Sequence, residues 1–145
     1  MSEAERIIAT LGLGPHPEGG WYRQTWVARA KAGERPAGTC IQFLLRVGER
    51  SHWHRVDDAD EIWHFHAGAP LILTVSENPQ GPATDIRLGP DVLATQAPQA
   101  IVPAGWWQSA CSTGDWTLVG CTVSPGFRFE SFVLAPPDFD IPRAP

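Results

Sequence analysis

From Gly19 onward, hydrophobic and polar residues alternate with a period of two, in short runs separated by turns rich in glycine and proline. Alternation of this kind predicts half-buried β-strands, and many short strands joined by tight turns indicate a sandwich or barrel. We therefore expect an all-β fold. The expected strands cover residues 21–27, 39–47, 52–56, 61–66, 71–75, 84–88, 99–102, 106–110, 116–123 and 128–135.

The first residues have a different pattern, which predicts one short helix over residues 2–11. Ser2 and Glu5 have the spacing of a capping box, in which each side chain bonds the other residue's backbone N–H. Ile8 and Leu11 share one face at helical spacing, and Gly12 ends the helix. A length of 145 residues fits one domain, residues 1–145, with a barrel core at about 18–135.

The charge and the cysteines of the chain indicate which partners and which cellular compartment to expect. The net charge is −5, whereas nucleic-acid-binding proteins usually carry a basic surface patch. The sequence also has no cluster of Lys and Arg that would attract an anionic membrane surface. Residues 1–13 lack the apolar segment of a secretory signal. Cys40, Cys111 and Cys121 form no CxxC pair. We therefore expect a cytoplasmic protein that binds neither nucleic acid nor membrane.

The richest candidate chemistry lies in residues 51–68, which hold four of the five histidines. In a regular strand, residues two apart share a face, so His52 pairs with His54 and His64 pairs with His66. Glu61 falls on the opposite face from His64 and His66. Either Glu61 or that second histidine pair can therefore join His52 and His54, but not both.

Two chemical interpretations of this cluster remain open. Imidazole and carboxylate that converge on one point suit a divalent first-row metal, and the same groups suit general acid–base catalysis without metal. Gln108, which follows a Pro-Ala-Gly turn at 103–105, offers an amide oxygen and an amide donor to either site. The plainer alternative is that the histidines only make structural hydrogen bonds.

These segments resemble the cupin superfamily. Its first motif is matched in order by Gly48, the HxH of residues 52–54, Glu61 and Gly68, and its second motif by PxG at 103–105. Gln108 stands where the second motif has a histidine. Phrases such as EGGWYRQT and VPAGWWQSA are similar to a branch of small, uncharacterised single-domain cupins, from residue 18 to 135.

The resemblance implies a fold, a ligand set and an assembly. The fold would be the cupin double-stranded β-helix, a jelly-roll barrel with a short N-terminal helix. His52, His54, Glu61 and Gln108 would ligate Mn, Fe, Ni or Zn, with no organic cofactor, in a homodimer. His54, Glu61 and Gln108 would be the catalytic residues. The resemblance implies that Glu61 faces the inside of the barrel and that His64 and His66 face outward.

Five further residues are candidates for substrate binding. Arg23 offers a bidentate guanidinium for an anionic group, and Tyr22 offers a phenol. Gln42 lies in an apolar strand and must find a polar partner or line a cavity. Trp63 shares the inward face with Glu61, and Trp106 shares a face with Gln108. His16, between two prolines, is interpreted as an ordinary loop residue.

The functional hypothesis is a small-molecule-binding cupin enzyme, of an isomerase or epimerase type or metal-dependent. Its substrate would be a small polar or sugar-like metabolite, with His54 as base or ligand. The alternative is a non-catalytic cupin that binds or senses a ligand, and a third option is an iron enzyme that uses oxygen. The sequence names no substrate.

Overall fold

The computed structural model describes residues 1–145, which form two antiparallel β-sheets that pack face to face. The six-stranded sheet has the order β1-β2-β3-β10-β5-β8, and the five-stranded sheet has the order β11-β4-β9-β6-β7. The strands are β1 (Gly14–Pro15), β2 (Trp21–Val27), β3 (Thr39–Arg46), β4 (Arg50–Val56), β5 (Asp60–Gly68), β6 (Leu71–Ser76), β7 (Thr84–Leu88), β8 (Gln99–Val102), β9 (Trp107–Ser112), β10 (Trp116–Ser124) and β11 (Phe132–Leu134). The predicted all-β jelly roll is confirmed.

The main core lies between the two sheets, where the inward faces of their strands meet. Phe43 and Val119 of the large sheet and Leu73 of the small sheet belong to one cluster of buried side chains. The Phe43 ring meets the edge of the Trp63 ring at a centroid distance of 5.9 Å. This cluster fills the space between the sheets beside the residues of a cavity.

The predicted helix is present as α1 (Glu3–Leu11) and packs on the outer face of the large sheet. The Ser2 hydroxyl accepts a hydrogen bond from the Glu5 backbone N–H at 3.1 Å, as an N-cap does. Gly12 ends the helix in the left-handed conformation. No helix of the chain has the length and hydropathy that crossing a bilayer requires.

The prediction of a continuous last strand over 128–135 is wrong in its first half. Phe129–Ser131 form a 3₁₀ turn, and only Phe132–Leu134 pair with β4. The Ser131 N–H bonds the Arg128 carbonyl oxygen at 3.1 Å, so this backbone satisfies its hydrogen bonds locally. The turn brings Phe129 back toward Phe127, at a ring centroid distance of 4.9 Å.

Strand β4 carries a β-bulge at its centre. Ser51 pairs with Ala110 and His54 pairs with Gln108, so three steps on β4 oppose two steps on β9. An extra residue in one strand reverses the alternation of side chains beyond it. Ser51 and His54 therefore both point into the barrel, and His52 does not share their face.

Candidate functional site

A cavity of about 130 Å³ opens between the sheets, next to the main core, with which it shares Cys121. Its histidine and carboxylic acid side chains come from the turn before β2, from β4 and from β5. They are His16, Glu18, His54 and Glu61. Its remaining walls are mostly apolar, and they consist of Tyr22, Gln24, Thr39, Ile41, Val56, Cys121, Val123, Phe127, Phe129 and Phe132.

The turn before β2 brings Glu18 against β4 because two glycines allow a close approach. Gly19 and Gly20 have φ angles of 108° and 79°, which side-chain-bearing residues rarely adopt. A Cβ on Gly19 would lie 2.1 Å from the Arg50 carbonyl oxygen. The His52 N–H then donates to the Glu18 carbonyl oxygen at 2.8 Å and fixes the turn on the strand.

The Glu18 carboxyl lies buried among polar side chains. Ser51 Oγ donates to Glu18 Oε2, and His54 Nε2 lies 3.5 Å from the same oxygen. His16 Nδ1 lies 3.3 Å from Glu18 Oε1. Burial raises the pKa of Glu18 to about 8, against the opposing effect of the Ser51 hydrogen bond. A neutral carboxylic acid therefore persists here at neutral pH.

His54 presents a defined tautomer to the cavity. Its Nδ1 lies 2.7 Å from the His52 carbonyl oxygen, which only accepts, so Nδ1 carries the proton. Burial lowers the pKa of His54, and the Glu61 charge opposes this effect. The neutral ring therefore directs the lone pair of Nε2 toward Glu18 and the cavity.

Glu61 is positioned by a buried hydrogen-bonded chain. Trp63 Nε1 donates to Gln108 Oε1 at 2.8 Å, and Gln108 Nε2 donates to Glu61 Oε1 at 2.9 Å. The indole N–H only donates, so it fixes the orientation of the amide. Burial raises the pKa of Glu61 to about 7, although His54 and hydrogen bonds from Gln108 and Cys121 favour its charged form.

His16 completes the polar cluster as a neutral ring. Its Nδ1 accepts a hydrogen bond from the Glu18 backbone N–H at 3.1 Å. Burial, with a smaller contribution from His54, lowers the pKa of His16 to about 4. The ring meets Tyr22 edge-on at a centroid distance of 4.4 Å. The loop position of His16 agrees with the sequence, but its side chain lines the cavity.

Three phenylalanines form part of the cavity wall. Phe132 lies 5.9 Å from both Phe127 and Phe129, measured between ring centroids, and the three rings meet edge to face. Phe132 also lies 5.4 Å from the His54 ring. More than half of the Phe129 side chain is exposed, which places it at the rim.

Asp58 holds the segment that carries these rings. Its carboxylate accepts two hydrogen bonds from the Arg35 guanidinium, at 2.9 and 3.1 Å. It also accepts from Arg128 at 3.0 Å and from the Ser131 hydroxyl at 2.8 Å. These bonds, the largest of them from Arg35, hold the pKa of Asp58 well below its usual range.

The structure brings His54, Glu61 and Tyr22 to the cavity, while Gln108 lies behind it and holds Glu61. His52 is outside, because the bulge in β4 turns its ring away and its Nε2 bonds the Pro136 carbonyl oxygen at 2.8 Å. The expectation that His52 shares a face with His54 is therefore corrected.

The other substrate-binding candidates lie outside the cavity. Arg23 donates to the Leu11 carbonyl oxygen at 3.2 Å on the protein surface. Gln42 lies on the outer face of the large sheet, where Gly120 of β10 pairs with Gln42 on one side and with His64 on the other. Trp63 is buried and uses its indole N–H on Gln108, and half-buried Trp106 packs against the main core.

The predicted metal-ligand set is not assembled. His52 faces away, and the Gln108 amide oxygen is occupied by the Trp63 indole N–H. No three His, Cys, Asp or Glu side chains are arranged to hold a metal ion. The residues present therefore do not fit the metal that the resemblance implies.

Sequence reasoning missed Glu18 as a site residue. The signal is the pair of glycines that follows it, because such a pair marks close backbone approach. It also missed Cys121, whose thiol contacts Glu61 within the cavity.

Comparison with known proteins decides the family. A sequence model described as Cupin superfamily (DUF985) matches residues 5–135. The chain belongs to the cupin superfamily. This cupin is similar to a protein from Shewanella oneidensis, with 42% identity and a TM-score of 0.85 over 93% of this chain and 85% of that chain. No curated protein matches its sequence.

Two further solved structures are similar to this cupin. A hypothetical protein from Leishmania major has 32% identity and a TM-score of 0.81, over 92% of this chain and 88% of that chain. Oxalate decarboxylase from Bacillus subtilis has 14% identity and a TM-score of 0.62, over 83% of this chain and 29% of that chain. At that identity, the second likeness concerns the fold alone.

Proposed function

We propose that this cupin is an enzyme that moves a proton on a small polar molecule, in a reaction of the isomerase or epimerase type. One observation carries the proposal. The unprotonated Nε2 of His54 lies 3.5 Å from the Glu18 carboxyl inside a largely apolar cavity. A neutral imidazole with a free lone pair supplies the base, and the buried carboxyl beside it, whose pKa is raised to about 8, supplies the acid that this chemistry needs.

The proposed reaction starts with a C–H bond next to a carbonyl group. His54 Nε2 takes the proton from that carbon, and the electron pair moves to the carbonyl oxygen. Glu18 or Glu61, protonated near neutral pH, donates a proton to that oxygen and leaves an enol. A proton then returns to the other face of that carbon, or to the neighbouring carbon, while an enol O–H gives its proton back to the carboxylate. The carbonyl group and both catalytic side chains are thereby restored.

The surrounding residues support this chemistry by orientation and desolvation. The His52 carbonyl oxygen holds the His54 ring through Nδ1, as the orienting partner of a catalytic base does. Gln108 fixes Glu61. The phenylalanine wall limits access of water, which strengthens electrostatic interactions inside the cavity.

Solvent deuterium exchange tests the proposal because it detects proton abstraction whatever product the enzyme forms. A library of small hydroxy- and amino-carbonyl compounds is incubated with the protein in D₂O, and the loss of C–H signals is followed by NMR. We expect wild-type protein to exchange the proton next to the carbonyl of at least one compound. His54→Gln should reduce that rate by about 10²-fold or more, the usual contribution of a general base.

His64→Gln is the matched control, because His64 lies on the outer face and bonds Thr122 Oγ1 at 3.1 Å. Its exchange rate should equal that of wild type. Full exchange by His54→Gln would reject the role of His54. Thermal stabilisation by a compound that never exchanges would favour the non-catalytic alternative, in which the cavity only binds its ligand.

A further inference from the structure

The charge of the cavity walls limits the charge of the ligand. Two carboxyls, Glu18 and Glu61, line the cavity, and no lysine or arginine does. The nearest guanidinium groups of the mouth, Arg35 and Arg128, both donate to Asp58. Arg23 donates to a backbone carbonyl on the surface. An anionic ligand would therefore enter a desolvated site without a counter-ion, which is costly.

The aromatic wall favours the opposite charge. Phe127, Phe129 and Phe132 stand edge to face around the cavity, and Tyr22 lines it from β2. Faces of aromatic rings attract cations through their quadrupole, most strongly where water is excluded. A cavity whose walls combine two carboxyl groups with aromatic rings suits a protonated amine.

The size of the cavity sets the size of the ligand. Its volume of about 130 Å³ is close to the volume of about 150 Å³ that holds one benzene molecule in a protein interior. A nucleotide or a disaccharide does not fit this space. A molecule with roughly six non-hydrogen atoms does.

We propose that the ligand of this cavity is a small organic cation, a primary amine held between Glu18 or Glu61 and the phenylalanine wall. This inference rests on the proposed function in placing the ligand in the same cavity, and it adds the ligand's charge. A bound ammonium favours the ionised form of the carboxyl beside it, so the protonated amine donates to a carboxylate oxygen while the second carboxyl keeps its proton. The alkyl part of the amine lies against Phe127 and Phe132.

Three probes of matched shape test this inference: n-butylamine, n-butanol and butyrate. Affinities are measured by ligand-observed NMR titration of the full chain at pH 7.5. We expect the amine to bind at least about tenfold more tightly than the alcohol and the carboxylate, the ratio that one charge-assisted hydrogen bond supplies. Absence of amine binding, or tighter binding of butyrate, would overturn the inference.

Variants separate a specific site from surface attraction. Glu61→Gln and Glu18→Gln should each reduce the preference for amine over alcohol, and Phe127→Leu should reduce it while it keeps apolar volume. Glu77→Gln is the control, because Glu77 is exposed and outside the cavity. An amine preference that survives all three cavity variants, each verified as folded by circular dichroism, would contradict the inference.

The two proposals fail in different ways. Amine binding without deuterium exchange of any compound would reject proton transfer and leave the cation site intact. If the protein instead catalyses deuterium exchange in a carboxylate compound and shows no preference for amines, the proposed positive charge of the ligand is wrong and the proton-transfer proposal stands.

Discussion

Gln108 Nε2 donates to Glu61 Oε1 at 2.9 Å, at the position where the second cupin motif has a histidine. Both residues are almost fully buried. The Gln108 amide oxygen accepts from the Trp63 indole at the same time, so this side chain links the core to the cavity. Its role in the structure is to position a carboxyl.

Replacement of Gln108 by leucine should destabilise the protein by about 2–4 kcal/mol, because it leaves two buried groups, Trp63 Nε1 and Glu61 Oε1, without partners. Urea unfolding measures the change. Gln99→Leu, on an exposed position of β8, is the control and should change stability little. A double-mutant cycle with Trp63→Phe should be non-additive, since each change removes the same hydrogen bond. Additive losses would show that the indole and the amide are not coupled.

Glu18 should make stability fall as pH rises. Its folded-state pKa of about 8 lies above the ordinary value of 4.5, so the folded state keeps a proton that the unfolded state has released. The free energy of unfolding therefore decreases between these values, by at most about 1.4 kcal/mol per pH unit. Between pH 7 and 8 the histidines contribute little, because His16 and His54 have lowered pKa values.

Urea unfolding at pH 7.0 and 8.0 measures this decrease. Glu18→Gln should show a smaller decrease than wild type. Glu34→Gln, in the exposed loop between β2 and β3, serves as the control and should retain the wild-type decrease. Equal decreases in all three proteins would mean that Glu18 is ionised in the folded state at neutral pH.

Chelation should leave the protein unchanged. The predicted ligands His52 and Gln108 have their ring nitrogen and amide oxygen engaged with Pro136 and Trp63. We therefore expect 1,10-phenanthroline to leave the melting temperature unaltered, and elemental analysis to find less than one transition metal per chain. A stoichiometric metal that His52→Gln removes would instead support the ligand set that the sequence predicts.

Asp58→Asn should loosen the mouth of the cavity. The charged carboxylate holds Arg35, Arg128 and Ser131 together, and an amide keeps the shape without the charge. Amide hydrogen exchange at Gly126 and at neighbouring residues should become faster, because local opening costs less free energy. Asp57→Asn, on the same turn but paired with Arg55, is the control. Unchanged exchange in Asp58→Asn would show that packing alone holds the segment.

The alternation within β5 was predictable from sequence. Glu61 and Trp63 are buried and His66 is exposed, as the period of two requires once the phase is known. The bulge in β4 was not predictable, because no glycine or proline marks it in residues 51–54. It arises from the pairing of β4 with β9, which lies more than fifty residues away in the chain.

Glu18 was missed for a related reason. A carboxylate in a loop next to prolines and glycines is typical of a solvated turn, and local sequence does not show which surface the turn lies on. The structure places this turn against Arg50 and His52 of β4, which only the closed barrel brings near. Long-range packing therefore decides the second acid of the cavity.

The position of Glu18 in the cavity depends on the absence of a side chain at the two glycines that follow it. A single methyl group on Gly20 would lie within 3.0 Å of Leu45, Phe43 and the Leu44 carbonyl oxygen, and would lift the turn from the barrel. Glu18 would then withdraw with it, and His54 would face only one acid. Two glycines that do not line the cavity thus determine how many carboxylic acids lie beside His54.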